Sequence, residues 1–261
     1  MSKTDPVVLE VADGIGHVRF RRPEKLQAFT SAMYCKVQEI CRNLQTSGEV
    51  HALVFSGATE VAFSAGTDLA EYAAIETPEQ GLALDALMDA ALDAVERCPV
   101  PTIAAISGIC SGGGIALAAA CDLRVAAPNA RFSIPVGRTL GLGLSPGSYE
   151  RLHALIGVAP LRHLLFTGQP IPAARALEIG LVDELVNDQS ALPGRADYLA
   201  RLAISQAPLA IQATKDALLS LRPGLDRERA GAWARRGFAS ADFREAVDAF
   251  LNKRQTNFSG R

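Results

Sequence analysis

Three consecutive glycines, Gly112, Gly113 and Gly114, stand between a β-branched run ending near Ser107 and a helix-forming stretch over 115–120. A strand leading into a glycine triplet and then a helix leaves backbone N–H groups free at the positive end of the helix dipole. Such groups attract a phosphate or the oxyanion that develops during acyl chemistry. The glycines equally suit tight packing of helix against strand, and this segment alone leaves both readings open. It is not the G-x-G-x-x-G fingerprint of dinucleotide sites, and no acid follows a second strand at the spacing that fold needs. A second loop, Phe63-Ser64-Ala65-Gly66-Thr67-Asp68-Leu69, follows the run ending at Ser56. Gly66 frees the backbone for an unusual turn, and Thr67 or Asp68 can cap the helix that follows. Each loop offers a backbone N–H beside a glycine. Two converging donors are what a thioester carbonyl needs as it becomes an enolate.

Other chemistries find less support. Ser111, Ser133 and Ser145 have no evident His–Asp partners among His17, His51, His153 and His163. The same four histidines lack ligand spacing, so no metal is expected. Five cysteines form no C-x-x-C pair, and their odd number argues against a disulfide framework. A formal net charge of −2 provides no general field for nucleic acid or an anionic membrane, so neither is expected as a partner. Residues 1–6 lack a basic-then-apolar leader pattern, and apolar runs are interrupted before they could span a bilayer. The expectation is a soluble, cytoplasmic protein.

The loops need a framework. Short β-branched runs at 7–11, 15–20, 52–56, 102–107 and 123–127 predict strands, and the consecutive apolar residues Leu53, Val54 and Phe55 predict one buried on both faces. Helices are predicted over 31–46 and 78–97, with another opening near Gly113. From Ser145 onward the pattern is almost wholly helical, punctuated by Pro160, Pro172, Pro193, Pro208 and Pro223. Residues 239–261 alternate acidic and basic side chains around Phe243, Val247, Phe250 and Leu251, which predicts an amphipathic helix packed onto its own domain. The whole is an α/β core followed by a helical part.

At these residues the chain resembles the crotonase superfamily, the enoyl-CoA hydratase/isomerase family. Arg22-Pro23-Glu24-Lys25-Leu26-Gln27-Ala28 is similar to its Arg-Pro-x-x-x-Asn-Ala signature, with Gln27 in place of Asn. Phe63 to Leu69 resembles its Phe-x-Ala-Gly-x-Asp-Leu loop, and Gly108 to Leu123 its glycine-triplet segment ending in Cys-Asp. Ala176-Leu177, Gly180 to Asp183 and the closing Phe250-x-x-Lys-Arg complete the match, in order, over nearly the whole chain. The resemblance implies a spiral of β-β-α units with a C-terminal helical trimerisation part. It implies an acyl-CoA-binding core over 1–195, a helical region over 196–261, and a homotrimer or hexamer. It also implies an oxyanion hole from the N–H groups of Thr67 and Gly113, with Lys25, Ala28, Ala65, Asp68 and Leu69 along the coenzyme A path. Coenzyme A would enter as part of the substrate, with no permanently bound cofactor.

Hydratases of this family place one glutamate two residues after the glycine triplet and another after the proline of a Phe-x-x-Pro-Glu segment. This chain has Ala116 and Val136. Hydration needs a base for water and an acid for the α-carbon, each contributing about 10²–10⁴ in rate, and neither side chain moves a proton. Glu71, with Tyr72 beside it, is the nearest substitute along the chain. Arg138 is always protonated and is instead a candidate for a carboxylate or phosphate on the substrate. The expectation is therefore an acyl-CoA enzyme doing decarboxylation, thioester hydrolysis or isomerisation through its oxyanion hole. The alternative is an inactive coenzyme A-binding paralogue or assembly subunit.

Overall fold

Strand β3 (Ala52–Gly57) runs through the middle of the molecule, and its first four residues are buried, as the unbroken apolar run predicts. In the computed structural model, which describes residues 5–221 and 227–259, it belongs to a six-stranded sheet. The chain enters through the antiparallel pair β1 (Val7–Ala12) and β2 (Ile15–Phe20), then forms helix α1 (Ser31–Ser47) before β3. The short strand β4 (Ala62–Ser64) follows, then α2 (Leu69–Ala73) and the long α3 (Pro78–Glu96). Next come β5 (Thr102–Ile106), β6 (Ile109–Ser111) and α4 (Gly113–Ala120), then β7 (Leu123–Ala126), β8 (Arg131–Ser133) and α5 (Val136–Leu140). The remainder is α6 (Pro146–Ile156), α7 (Val158–Thr167), β9 (Ile171–Pro172), α8 (Ala173–Glu178), β10 (Glu184–Leu185), α9 (Leu192–Ile204), α10 (Pro208–Ser220), α11 (Arg227–Ala239) and α12 (Ala241–Leu251).

The large sheet has the order β1-β2-β3-β5-β7-β10 and is parallel from β2 onward. A smaller sheet has the order β4-β6-β8-β9. Three times, then, a strand of the large sheet is followed by a strand of the small sheet and a helix. This is the β-β-α spiral. The small-sheet strands, and the two-residue β10 of the large sheet, are too short to leave a periodic signal, which is why sequence patterning predicts only the other five large-sheet strands.

An aromatic cluster joins the layers. Phe20 meets Phe29 edge-on at 4.8 Å between ring centroids and Phe63 at 5.7 Å, while Phe29 meets Tyr34 at 5.2 Å. All four are buried, and edge-to-face pairs contribute about 0.5–1.5 kcal/mol beyond their burial. Helix α3 is set at its start by Thr77 and Gln80, which cap each other's backbone, and by Pro78. Its apolar face buries Leu84, Met88, Leu92 and Val95.

Other elements differ from their sequence reading. Residues 136–140 form α5, ended by the left-handed Gly141, where glycine-rich sequence predicts a loop. Helix α12 stops at Leu251 instead of running to the end: Lys253 takes φ +52°, and Arg254 N–H donates back to Ala249 O at 3.0 Å. The charges of this segment tie the tail down, with Arg254 on Glu245 at 2.6 Å and Ser259 N–H on Asp242 at 2.6 Å. The expected boundary between 195 and 196 falls inside α9, which packs on β3, β5 and β7. Pro223 lies outside the described residues. No helix among the described residues is long and apolar enough to cross a membrane.

Candidate active site

The two glycine-bearing loops meet. Phe29 N–H donates to Gly66 O at 2.7 Å, and Asp68 N–H donates to Phe29 O at 2.8 Å. Successive peptide groups of an extended chain point opposite ways, so this bridge turns the Thr67 N–H away from Phe29. The glycine triplet is tethered by Gly112 N–H to Ser133 O at 3.0 Å and by Ser111 Oγ to Ser133 Oγ at 3.0 Å. Gly113 is the first residue of α4, so its N–H is one of the helix's orphan donors. Among the hydrogen bonds of the described residues, neither Thr67 N–H nor Gly113 N–H has an acceptor.

The approach is close enough to require glycine. Gly66 has φ +100°, and a Cβ there would lie 3.0 Å from Ser111 O and 3.2 Å from Gly113 N. A Cβ on Gly113 would strike Tyr34 Oη and lie 3.4 Å from Thr67 N. The two free donors thus stand side by side, in a geometry suited to charge developing on one oxygen.

Thr67 and Gly113 both line a cavity of about 40 Å³ whose walls also include Tyr34, Tyr72, Asp85, Met88, Ala116, Val136, Leu140 and Leu142. That is close to the volume of one water, about 30 Å³. Asp85, Leu142, Gly143 and Leu144 also border a wider groove of about 780 Å³. Tyr34 Oη and Thr67 Oγ1 lie 2.9 Å apart, and Thr67 Oγ1 is 3.2 Å from Met88 Sδ. Burial pushes both phenols, Tyr34 and Tyr72, well above the usual tyrosine range. Asp85 is pushed up to about 7, chiefly by desolvation and then by the charge of Asp89.

The residues singled out in sequence scatter around this centre. Ala116 and Val136 both line the cavity. Glu71 accepts a hydrogen bond from Ser31 Oγ and is not part of the cavity wall. Arg138 lies on the exposed side of α5, also outside the wall. Asp68 caps α2 by accepting from Ala70 N–H at 3.1 Å and pairs with Arg22 at 2.9 Å. Burial works to raise its pKa, but these two partners outweigh it and hold the carboxyl below the usual range. Arg22 also donates to Ala28 O at 2.6 Å, while Lys25 is exposed on the same turn and Ala65 N–H donates to Leu26 O at 2.9 Å. Leu69 opens α2 and packs against the core. Gln27 is fully buried at φ +57° and accepts Arg22 N–H at 2.6 Å, so its longer amide still closes this turn.

Sequence reading passed over Tyr34 and Asp85. Tyr34 carries no motif of its own. Asp85 looks like one of several acids on a solvated face, and only its offsets of one turn from Met88 and two turns from Leu92 place it beside the helix's buried face.

The enoyl-CoA hydratase/isomerase family model matches residues 10–261. The short-chain-enoyl-CoA hydratase of Clostridium acetobutylicum is 34% identical over 254 residues, covering 95% of each chain. The crotonyl-CoA hydratase of Syntrophomonas wolfei is 32% identical over 260 residues, covering 97% of each. Among solved structures, a methylmalonyl-CoA decarboxylase in complex with 2-nitronate-propionyl-CoA superposes with a TM-score of 0.87 at 25% identity, covering 98% of this chain and 99% of that one.

Proposed function

The chain belongs to the enoyl-CoA hydratase/isomerase family, and on that premise we propose that it acts on an acyl-CoA thioester by stabilising the enolate oxygen between Thr67 N–H and Gly113 N–H, and that it is not an efficient hydratase. The observation that carries this reading is a single cavity lined by Thr67 and Gly113, whose N–H groups have no acceptor among the described residues, together with Ala116 and Val136. The electrostatic half of the site is intact, while the two positions that hold glutamates in hydratases are apolar. A donor of this kind contributes about 10²–10³ in rate, so enolate chemistry retains a substantial part of its catalysis. Hydration lacks both of its proton carriers. The Lys25–Ala28 turn, Ala65, Asp68 and Leu69 are the proposed lining of the coenzyme A path.

The same reading divides the chain into an acyl-CoA core over 1–195 and a helical region over 196–261 that builds a homotrimer or hexamer. Leu218 on α10 and Leu221 just past its end are exposed and, three residues apart, lie on one side of the helix; they support such an assembly, since adjacent exposed apolar side chains mark contact surfaces. Light scattering gives the assembly mass directly.

Mass spectrometry of the purified protein with crotonyl-CoA and a panel of saturated, β-hydroxy and carboxylated acyl-CoAs tests the chemistry. The expected result is turnover of another thioester with little hydration of crotonyl-CoA. Rapid hydration would refute the argument from Ala116 and Val136. Binding of every thioester with turnover of none would identify an inactive paralogue.

A further inference from the structure

Helix α3 carries four acids along one face, Asp85, Asp89, Asp93 and Glu96, spaced so that they stack on successive turns. Three are committed to structure. Asp89 accepts Ser145 Oγ at 2.8 Å, Gly147 N–H at 3.1 Å and Arg151 at 3.3 Å. Asp93 pairs with the buried Arg151, and Glu96 lies 2.9 Å from the same guanidinium. Asp85, one turn nearer the start of the helix, is out of reach of this network. It has no hydrogen bond or ion pair among the described residues, and it is the one carboxylate among the described residues that line the cavity holding Thr67 and Gly113.

A structural carboxylate in such a place would be expected to have partners, as the other three do. Asp85 instead lines the small cavity and borders the wider groove of about 780 Å³. We propose that Asp85 is a catalytic residue of this enzyme, the group that takes a proton from the acyl carbon next to the thioester and returns it, and that the reaction class is proton relocation on an acyl-CoA. This proposal rests on the acyl-CoA reading above.

The step balances with the groups present. The Asp85 carboxylate removes the α-hydrogen, so a C–H bond breaks and an O–H bond forms. The C–H electron pair becomes a carbon–carbon double bond, and the carbonyl pair moves to the thioester oxygen, held by Thr67 and Gly113 N–H. Return of the proton to the α-carbon gives exchange. Return to the γ-carbon of a β,γ-unsaturated acyl group moves the double bond. One shuttling group suffices for either, whereas addition of water needs two.

The base must be partly ionised near neutral pH, and its surroundings allow that. Asp89 faces it from α3, Tyr34 from α1 and Tyr72 from α2. Tyr149 of α6, Arg236 of α11 and Asp242 of α12 border the same groove. Desolvation and Asp89 move Asp85 to about 7, the range in which a carboxyl both accepts and releases a proton readily.

The test follows deuterium uptake into butyryl-CoA in buffered D2O by mass spectrometry, alongside butyryl-CoA affinity by calorimetry. Wild-type enzyme is expected to exchange the α-hydrogens, with a rate that rises through neutrality and levels off. Asp85→Asn is nearly isosteric and should keep wild-type affinity while exchange falls by about 10²–10⁴. Asp85→Glu should recover part of it, which a purely structural role does not predict. Unchanged exchange in folded Asp85→Asn, or binding without exchange in the wild type, overturns the proposal while leaving the acyl-CoA reading standing. Failure of the wild type to bind butyryl-CoA at all brings down the acyl-CoA reading and this proposal with it.

Discussion

Replacing Gly66 with alanine tests whether the meeting of the two loops, rather than either loop alone, makes the site. At φ +100° a side chain costs about 1–3 kcal/mol in backbone strain. The added Cβ also lies 3.0 Å from Ser111 O and 3.2 Å from Gly113 N, both backbone atoms that cannot rotate away. Gly113 and Thr67 must therefore separate, and an enolate oxygen keeps one well-placed donor instead of two. Loss of one such donor is worth about 10²–10³ in rate, or roughly 2.7–4 kcal/mol in the barrier. Gly48→Ala is the matched control. Gly48 ends α1 at φ +65° with nothing within 4 Å of its Cβ position, so it pays strain of about 1–2 kcal/mol and no collision. Urea denaturation, butyryl-CoA affinity and α-hydrogen exchange are measured on both variants. Both are expected to lose stability, and only Gly66→Ala to lose the chemical step while still binding coenzyme A. Wild-type exchange in folded Gly66→Ala, or an equal loss in Gly48→Ala, would refute the reasoning.

Arg151→Ala leaves Asp89, Asp93 and Glu96 facing one another without the buried cation that joins them, and a loss of about 3–5 kcal/mol in urea unfolding is expected. Asp85→Asn should change the pH dependence of stability. The folded-state pKa of about 7 lies above the unfolded carboxyl value, so the folded protein holds the extra proton between about pH 4 and 7 and wild-type stability falls as pH rises through that window. The variant escapes this, gaining up to about 4 kcal/mol over wild type above pH 7, less as groove water screens the charge; parallel pH-dependent melts that never diverge would exclude the shift.

The chemistry of the main chain was legible from the linear order of residues. Glycine has a distinctive local meaning, so Gly66 and the triplet at 112–114 announced close backbone approach and free N–H groups before any coordinates. The β-branched runs announced the large sheet, because a strand buried on both faces needs apolar residues in succession. Ala116 and Val136 each sit at a fixed offset from a motif, and both line the cavity.

Side-chain chemistry was less legible. Glu71 follows the first loop closely in sequence, yet its carboxylate turns to Ser31. Asp85 lies outside both loops, in a helix where the three other acids on its face are bound by Arg151 from α6. Which of four similar carboxylates faces a cavity and which three bind an arginine depends on where α6 docks against α3. Sequence by itself determined the family, five of the six strands of the large sheet and the two glycine-bearing loops, because propensity and glycine geometry act over a few residues. Only the tertiary structure decided which carboxylate lines the same cavity as Thr67 and Gly113, because burial and charge are properties of neighbours that the chain brings together from a distance.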